Sequence, residues 1–130
     1  MGIRFNEEKK IFNIETKNIS YILSILETGH LVHLYWGRKI KSNKIDYIIT
    51  KREYGSFLAN LDNIKGLHLE AIPQEYPGYG NPDLRSPAIQ IKLSDGSTVT
   101  DFRYESHKIF KGKKKLNGLP ATYVEDANEA

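Results

Sequence analysis

Four of the five prolines of this 130-residue chain fall between residues 73 and 87: Pro73, Pro77, Pro82 and Pro87. Gly78, Gly80, Tyr76 and Tyr79 stand among them. A proline fixes its own φ, has no backbone N–H to donate, and pushes the residue before it toward extended conformations. No helix and no central strand runs through such a stretch, so it forms a long loop with stiff joints. The same loop carries Glu75, Tyr76, Tyr79, Asn81, Asp83 and Arg85, all groups that recognise polar ligands. A long loop with this chemistry is either functional or a rigid connector. The plain alternative is a Pro/Gly-rich crossover between two sheets.

On both sides of the loop the residues read as strands. Ile11, Phe12 and Ile14 lie in a short β-prone run. Residues 20–26 and 30–36 are β-rich and are joined by Glu27-Thr28-Gly29, a three-residue hairpin loop whose last position wants a left-handed residue. That register pairs Ile25 with Leu31, Leu23 with His33, Ile22 with Leu34 and Tyr21 with Tyr35. Both faces of the pair then carry apolar side chains and require cover on both sides. Residues 38–44 are basic and loop-like, 45–50 and 67–72 read as strands, and 51–63 is irregular with a turn of helix near Phe57, Leu58 and Leu61.

After the loop, Ile89, Ile91 and Leu93 alternate with Gln90 and Lys92, the half-buried strand pattern. A two-residue Asp95-Gly96 turn sets Val99 opposite Lys92, on the polar face. A three-residue Ser94-Asp95-Gly96 loop sets it opposite Ile91, on the apolar face. Register follows the buried face, so the three-residue loop is expected. Phe102, Tyr104, Ile109 and Phe110 continue the β tendency. Together these runs predict one all-β domain, a two-layer antiparallel sandwich. A single domain suits the length, and at this size roughly two-thirds of the unfolded chain's surface is buried on folding.

Composition narrows the chemistry. There is no cysteine, which excludes disulfides and Cys-based zinc sites and agrees with a cytoplasmic protein. The N-terminus has no apolar signal region, and no apolar run reaches the length of a membrane span, so no membrane partner is expected. The net charge of +3 concentrates late, at Lys108, Lys111, Lys113, Lys114 and Lys115. Gly112, Asn117 and Gly118 punctuate that cluster, and no nucleic-acid-binding motif accompanies it, so it reads as a solvated turn. His30 and His33 are the one close histidine pair, and on a strand they point to opposite faces. No phosphate-binding glycine loop, nucleophile elbow or singled-out carboxylate pair is present.

A resemblance then adds to this reading. Asn18-Ile19-Ser20-Tyr21, residues 29–37, the central loop through Gln74-Glu75-Tyr76-Pro77 and 82–88, Asp101-Phe102-Arg103-Tyr104, and Gly118-Leu119-Pro120-Ala121-Thr122-Tyr123-Val124-Glu125 occur in one family order. In these segments the chain resembles the N-terminal domain of glycoside hydrolase family 36, the bacterial α-galactosidases. Leu84 departs from the pattern, which carries an aromatic between Asp83 and Arg85.

The resemblance implies a supersandwich of the galactose-mutarotase-like type, here truncated at its C-terminal end. Residues 1–124 would form most of the domain, and 125–130 a tail toward its remainder and toward an absent catalytic barrel. It implies a parent enzyme that removes terminal α-linked galactose from melibiose, raffinose and stachyose with retention. Both catalytic aspartates would lie in that barrel, so none is assigned here, and no metal or organic cofactor is implied. The expected partners are the barrel, α-galactosides and further copies of the chain in a tetramer. Asp83 and Arg85, with Tyr79 and Asn81 holding the loop, would reach a galactoside site in the same or a neighbouring subunit. An extended Asp83-Leu84-Arg85 would set the two charges on one side with Leu84 turned inward. The plain reading is an Asp83–Arg85 ion pair that braces the loop. Two alternatives remain. The first is a free-standing carbohydrate-binding module using Trp36, Tyr35, Tyr76 and Tyr79, although burial is the ordinary fate of a lone Trp36. The second is a pure assembly domain.

Overall fold

The computed structural model describes residues 2–41, 45–53, 59–80, 83–112 and 117–120. Among them lies a four-stranded antiparallel meander in the order β1-β2-β3-β4: β1 (Gly2–Asn6), β2 (Ile11–Glu15), β3 (Ile19–Ile25) and β4 (Leu31–Arg38). Among the described residues helix is confined to single 3₁₀ turns at Asp46–Ile48, Leu61–Asn63 and Leu69–Ala71. The expected all-β antiparallel class is what the chain adopts.

Both glycine-closed hairpin loops form as their sequences require. Gly29 has φ +85° and Gly96 has φ +84°, the left-handed region that a side chain resists. Gly29 N donates to Leu26 O (2.8 Å) and Leu26 N to His30 O (2.9 Å). Gly96 N donates to Leu93 O (2.9 Å) and Leu93 N to Ser97 O (2.8 Å), so the second loop also has three residues.

In the β3–β4 hairpin, Ile25–Leu31 and Leu23–His33 pair as read, and then the register slips. Ile22 faces Tyr35 rather than Leu34, and Tyr21 faces Trp36 rather than Tyr35. Leu34 is the extra residue of a β-bulge. The bulge lets Leu34 enter the core and Tyr35 pack against it, and it turns Trp36 to the other face. Trp36 is 74% exposed there, not buried as a lone tryptophan ordinarily is.

The core lies on one face of the sheet, and the other face is covered only in part. On the first, Ile11, Ile22, Val32 and Leu34 pack against Ile45, Leu61, Leu67, Leu69 and Ile72. Each such aliphatic side chain, fully buried, contributes about 1.5–3 kcal/mol. On the other, Phe5 stacks on Phe12 (4.3 Å between centroids), and His107 meets both edge-on. Tyr104 and His107 are joined by an Oη–Nδ1 hydrogen bond of 2.7 Å.

Three strand expectations are corrected. Residues 67–72 turn rather than extend, because Leu67, His68, Leu69 and Ile72 are all buried and no alternation sets two faces apart. Their backbone bonds are local: Ala71 N to His68 O (3.0 Å) and Ile72 N to Leu69 O (3.4 Å). Residues 45–50 likewise hold a 3₁₀ turn. Residues 89–93 and 98–102 keep their turn but no ladder runs beyond the Leu93–Ser97 bond, and Ile89, Ile91, Leu93 and Val99 are exposed. A two-stranded ribbon without a third strand or a packed face is marginal in water. β1 has no counterpart in the sequence reading. Phe57, Leu58, Lys113, Lys114, Lys115 and the 125–130 tail lie outside the described residues. No helix among the described residues is long and apolar enough to cross a membrane.

Candidate functional site

The proline-rich loop begins as a stub of extended chain on the edge of β4. His33 N donates to Pro73 O (2.8 Å), Glu75 N donates to Leu31 O (2.9 Å), and Gln74 bridges Val32. Pro73 suits this place because only its carbonyl is used. Further on, Ala88 N donates to Pro77 O (2.9 Å) and Thr100 N to Tyr79 O (3.1 Å), tying the loop to the second hairpin. Gly78 lies so close to the Thr100 carbonyl that no Cβ fits between them. Gly80 and Asp83 exchange both backbone bonds, at 2.8 and 2.9 Å.

Of the four residues expected at a ligand site, Asn81 lies outside the described residues, and the other three are split by burial. Asp83 is 1% exposed. Its carboxylate accepts from Arg85 Nε (2.9 Å to Oδ1), Arg85 Nη2 (2.7 Å to Oδ2), the Arg85 backbone N–H (3.1 Å) and Gln74 Nε2 (2.7 Å). Arg85 also donates from Nη1 to Ile72 O (2.9 Å) and from Nη2 to Leu69 O (2.8 Å), clamping the loop to the 3₁₀ turn beneath it. The guanidinium holds the Asp83 carboxyl below the usual carboxylate range against the opposing effect of burial.

The expected orientation of this tripeptide is corrected. Leu84 is 72% exposed and turned outward, because Asp83 takes the inward position that its hydrogen bonds demand. Tyr79, Leu84, Arg85 and Pro87 line one open cleft of about 360 Å³ with Ile89 and Thr98. Tyr79 and the outer edge of Arg85 therefore face a common space, and Asp83 sits behind Arg85.

Glu75 points the other way. It accepts from Tyr21 Oη (2.5 Å) and from His33 Nδ1 (3.1 Å). Burial and this carboxylate push the Tyr21 phenol up, so it stays a donor. Tyr21 in turn meets the Trp36 ring edge-on at 6.2 Å and the His33 ring at 5.4 Å. Sequence reasoning named Glu75 and Trp36 but missed Tyr21 and His33 as their neighbours. The bulge that assembles them leaves no mark in the alternation of apolar residues. Tyr35, offered as a stacking residue, instead leans toward the core.

A third array straps the first hairpin to the second half of the chain. His30 is fully buried, accepts from Thr28 Oγ1 at Nδ1 (2.8 Å) and donates from Nε2 to Asp101 Oδ1 (2.7 Å). Arg103 bonds Asp101 (2.8 Å), Asp62 (2.7 Å) and Thr28 O (3.1 Å). Hydroxyl, imidazole and carboxylate stand in the order of a nucleophilic triad, but Thr28 is itself buried, and the array is a brace. His30 and His33 thus serve different carboxylates. Among the described residues no group of three or more His, Asp or Glu is placed to hold a metal ion.

Comparison with known proteins agrees with the resemblance. The model of the glycosyl hydrolase family 36 N-terminal domain matches residues 29–130. The α-galactosidase AgaA of Geobacillus stearothermophilus is 41% identical over 131 residues, covering all of this chain and 18% of AgaA. The crystal structure of α-galactosidase AgaB from the same organism superposes with a TM-score of 0.82 at 43% identity, over 97% of this chain and 17% of that one. A variant of AgaA in complex with raffinose superposes at 0.79 and 42% identity, over 90% of this chain and 16% of that one. The chain thus spans less than a fifth of the length of these relatives.

Proposed function

The chain belongs to the glycosyl hydrolase family 36 N-terminal domain family, and from that premise we propose that it serves as the non-catalytic N-terminal domain of a cytoplasmic, retaining α-galactosidase. The substrates would be melibiose, raffinose and related oligosaccharides with terminal α-linked galactose. What carries the reading is the match along the whole chain to AgaA, an α-galactosidase, joined to the likeness to a raffinose complex. Hydrolysis would belong to a barrel that follows this domain, and the chain alone is expected to be inactive.

Within this reading the 73–87 loop reaches a galactoside site, in its own subunit or the next one of a tetramer. Tyr79 and Arg85 are the contacts best supported, since both line one cleft. A guanidinium donates to sugar oxygens in a fixed fork, and a phenol both donates and accepts. Asp83 acts through Arg85 as a positioning residue, and Asn81 belongs to the same loop. A role in assembly is supported by the bare apolar side chains of Ile89, Ile91, Leu93 and Val99, a surface that asks for cover by the barrel or another subunit.

The test is made in the enzyme that includes the barrel. Tyr79→Ala removes an exposed ring and no core contact. It is expected to lower kcat/KM for raffinose about tenfold, with melting temperature and oligomeric state unchanged. Unaltered kcat/KM in Tyr79→Ala, with unaltered kcat/KM in Arg85→Lys as well, refutes the site role. Absence of α-galactosidase activity in the full-length enzyme refutes the family function.

A further inference from the structure

Trp36 is the only tryptophan of the chain, and it lies bare on a sheet whose other aromatic residues are mostly packed. It stands where the β-bulge puts it. In an unbroken strand His33 and Trp36 would point to opposite faces. The extra residue at Leu34 brings them to one face, beside Tyr21. Bulges recur where a side chain has to be re-aimed for function.

The polar groups around the indole are fixed. Glu75 is mostly buried and holds both Tyr21 Oη and His33 Nδ1. Because a carboxylate only accepts, Nδ1 carries the proton, and in the neutral imidazole Nε2 is left as an acceptor. Nε2 has no partner among the described residues, and the ring is partly open to solvent. The result is a flat aromatic face, a tyrosine ring set edge-on against it, and one oriented acceptor at its border.

We propose that Trp36, Tyr21, His33 and Glu75 form a platform that binds a pyranose ring, a sugar site that shares no residue with the Tyr79–Arg85 cleft. The apolar C–H face of a pyranose stacks on an indole, whose electron-rich face attracts those hydrogens. A ring hydroxyl at the border donates to His33 Nε2. Glu75 and Tyr21 are positioning residues: they fix the imidazole tautomer and hold both rings in place. The inference rests on the chemistry of the platform and stands whether or not the family function holds.

Because Trp36 is the single tryptophan, the emission of this chain reports on the platform directly. Raffinose and methyl α-glucoside, titrated separately, serve as probes, with acrylamide quenching as a second readout. A saturable change in emission with either sugar, together with protection from acrylamide, is the expected result. His33→Ala and Glu75→Gln are expected to weaken that binding about fivefold to tenfold, the loss of one hydrogen bond, with the circular dichroism unchanged. Emission and quenching that do not move with either sugar up to its solubility limit overturn the proposal. So does a response retained at full affinity in both variants.

Discussion

Replacing Arg85 by alanine tests the central claim about the loop, that Asp83 is a buried charge balanced by one cation. The substitution removes three side-chain contacts to the Asp83 carboxylate and the donors to Ile72 O and Leu69 O. Gln74 Nε2 still reaches Asp83 (2.7 Å) and Leu69 O (3.3 Å). Removing one member of a buried ion pair costs about 3–5 kcal/mol, because the other charge is left without compensation. The Arg85 side chain is 39% exposed, so water enters the space it vacates and the expected loss falls to about 2–3 kcal/mol. Urea denaturation of the chain measures this, with Asp83→Asn and the double variant completing a cycle. The double variant should cost less than the sum of the singles, since the stranded carboxylate is gone. Asp83 has a lowered pKa, so the pair's stabilisation is fully present above the ordinary aspartate value of about 3.9 and is lost as pH falls through the lower folded value. Arg85→Ala should flatten that dependence. A variant within about 0.5 kcal/mol of the parent, or an additive cycle, refutes the reasoning.

Two further outcomes follow from close contacts elsewhere. Gly78→Ala should destabilise the chain by about 1–3 kcal/mol, because its Cβ would overlap the Thr100 carbonyl and part the loop from the second hairpin; a urea midpoint equal to the parent's would show that the two segments do not touch. Glu15 accepts from Lys39 Nζ (2.9 Å), from Arg4 and from Asn13 Nδ2 (2.6 Å), and its pKa is lowered, first by Lys39. Its contribution is present above the ordinary glutamate value of about 4.3 and lost as pH falls through the folded value. Lys39→Ala should therefore raise the pH of acid unfolding, and an unchanged acid midpoint would contradict this.

How much of this was legible depended on whether a feature was local. The two three-residue hairpin loops could be read because a left-handed glycine is a local necessity, and Gly29 and Gly96 supply it. The bulge could not. Leu34 and Tyr35 both suit a core face, so the sequence carries no preference between the regular register and the slipped one. β1 was missed because Arg4 and Asn6 break its apolar character, and it forms only where Phe5 finds Phe12 and His107. Residues 67–72 misled for the opposite reason, since an apolar run looks the same in a strand and in a buried turn. The proline loop was recognisable as a loop, and its polar residues could be named. Their division could not be read, because it depends on which side each backbone segment turns.

That division has a simple cause at Gln74 and Glu75. The segment is extended where it lies on β4, so adjacent side chains leave on opposite sides. Gln74 goes down to Asp83, and through it to Arg85 and the 3₁₀ turn. Glu75 goes up to Tyr21 and His33 on the face that carries Trp36. Pro73 and Pro77 bracket the pair, and Pro73 O and Glu75 N are both bonded to β4. Sliding the segment by one residue would reverse the two sides: Glu75 would meet the Asp83 carboxylate, and Tyr76 would take the place of Glu75 at the histidine. Both networks would fail together, since like charges would share the buried site and the His33 tautomer would lose its carboxylate. The stiffness of the loop therefore matters at its start, where a single register decision sets the Arg85 cleft and the Trp36 platform at once.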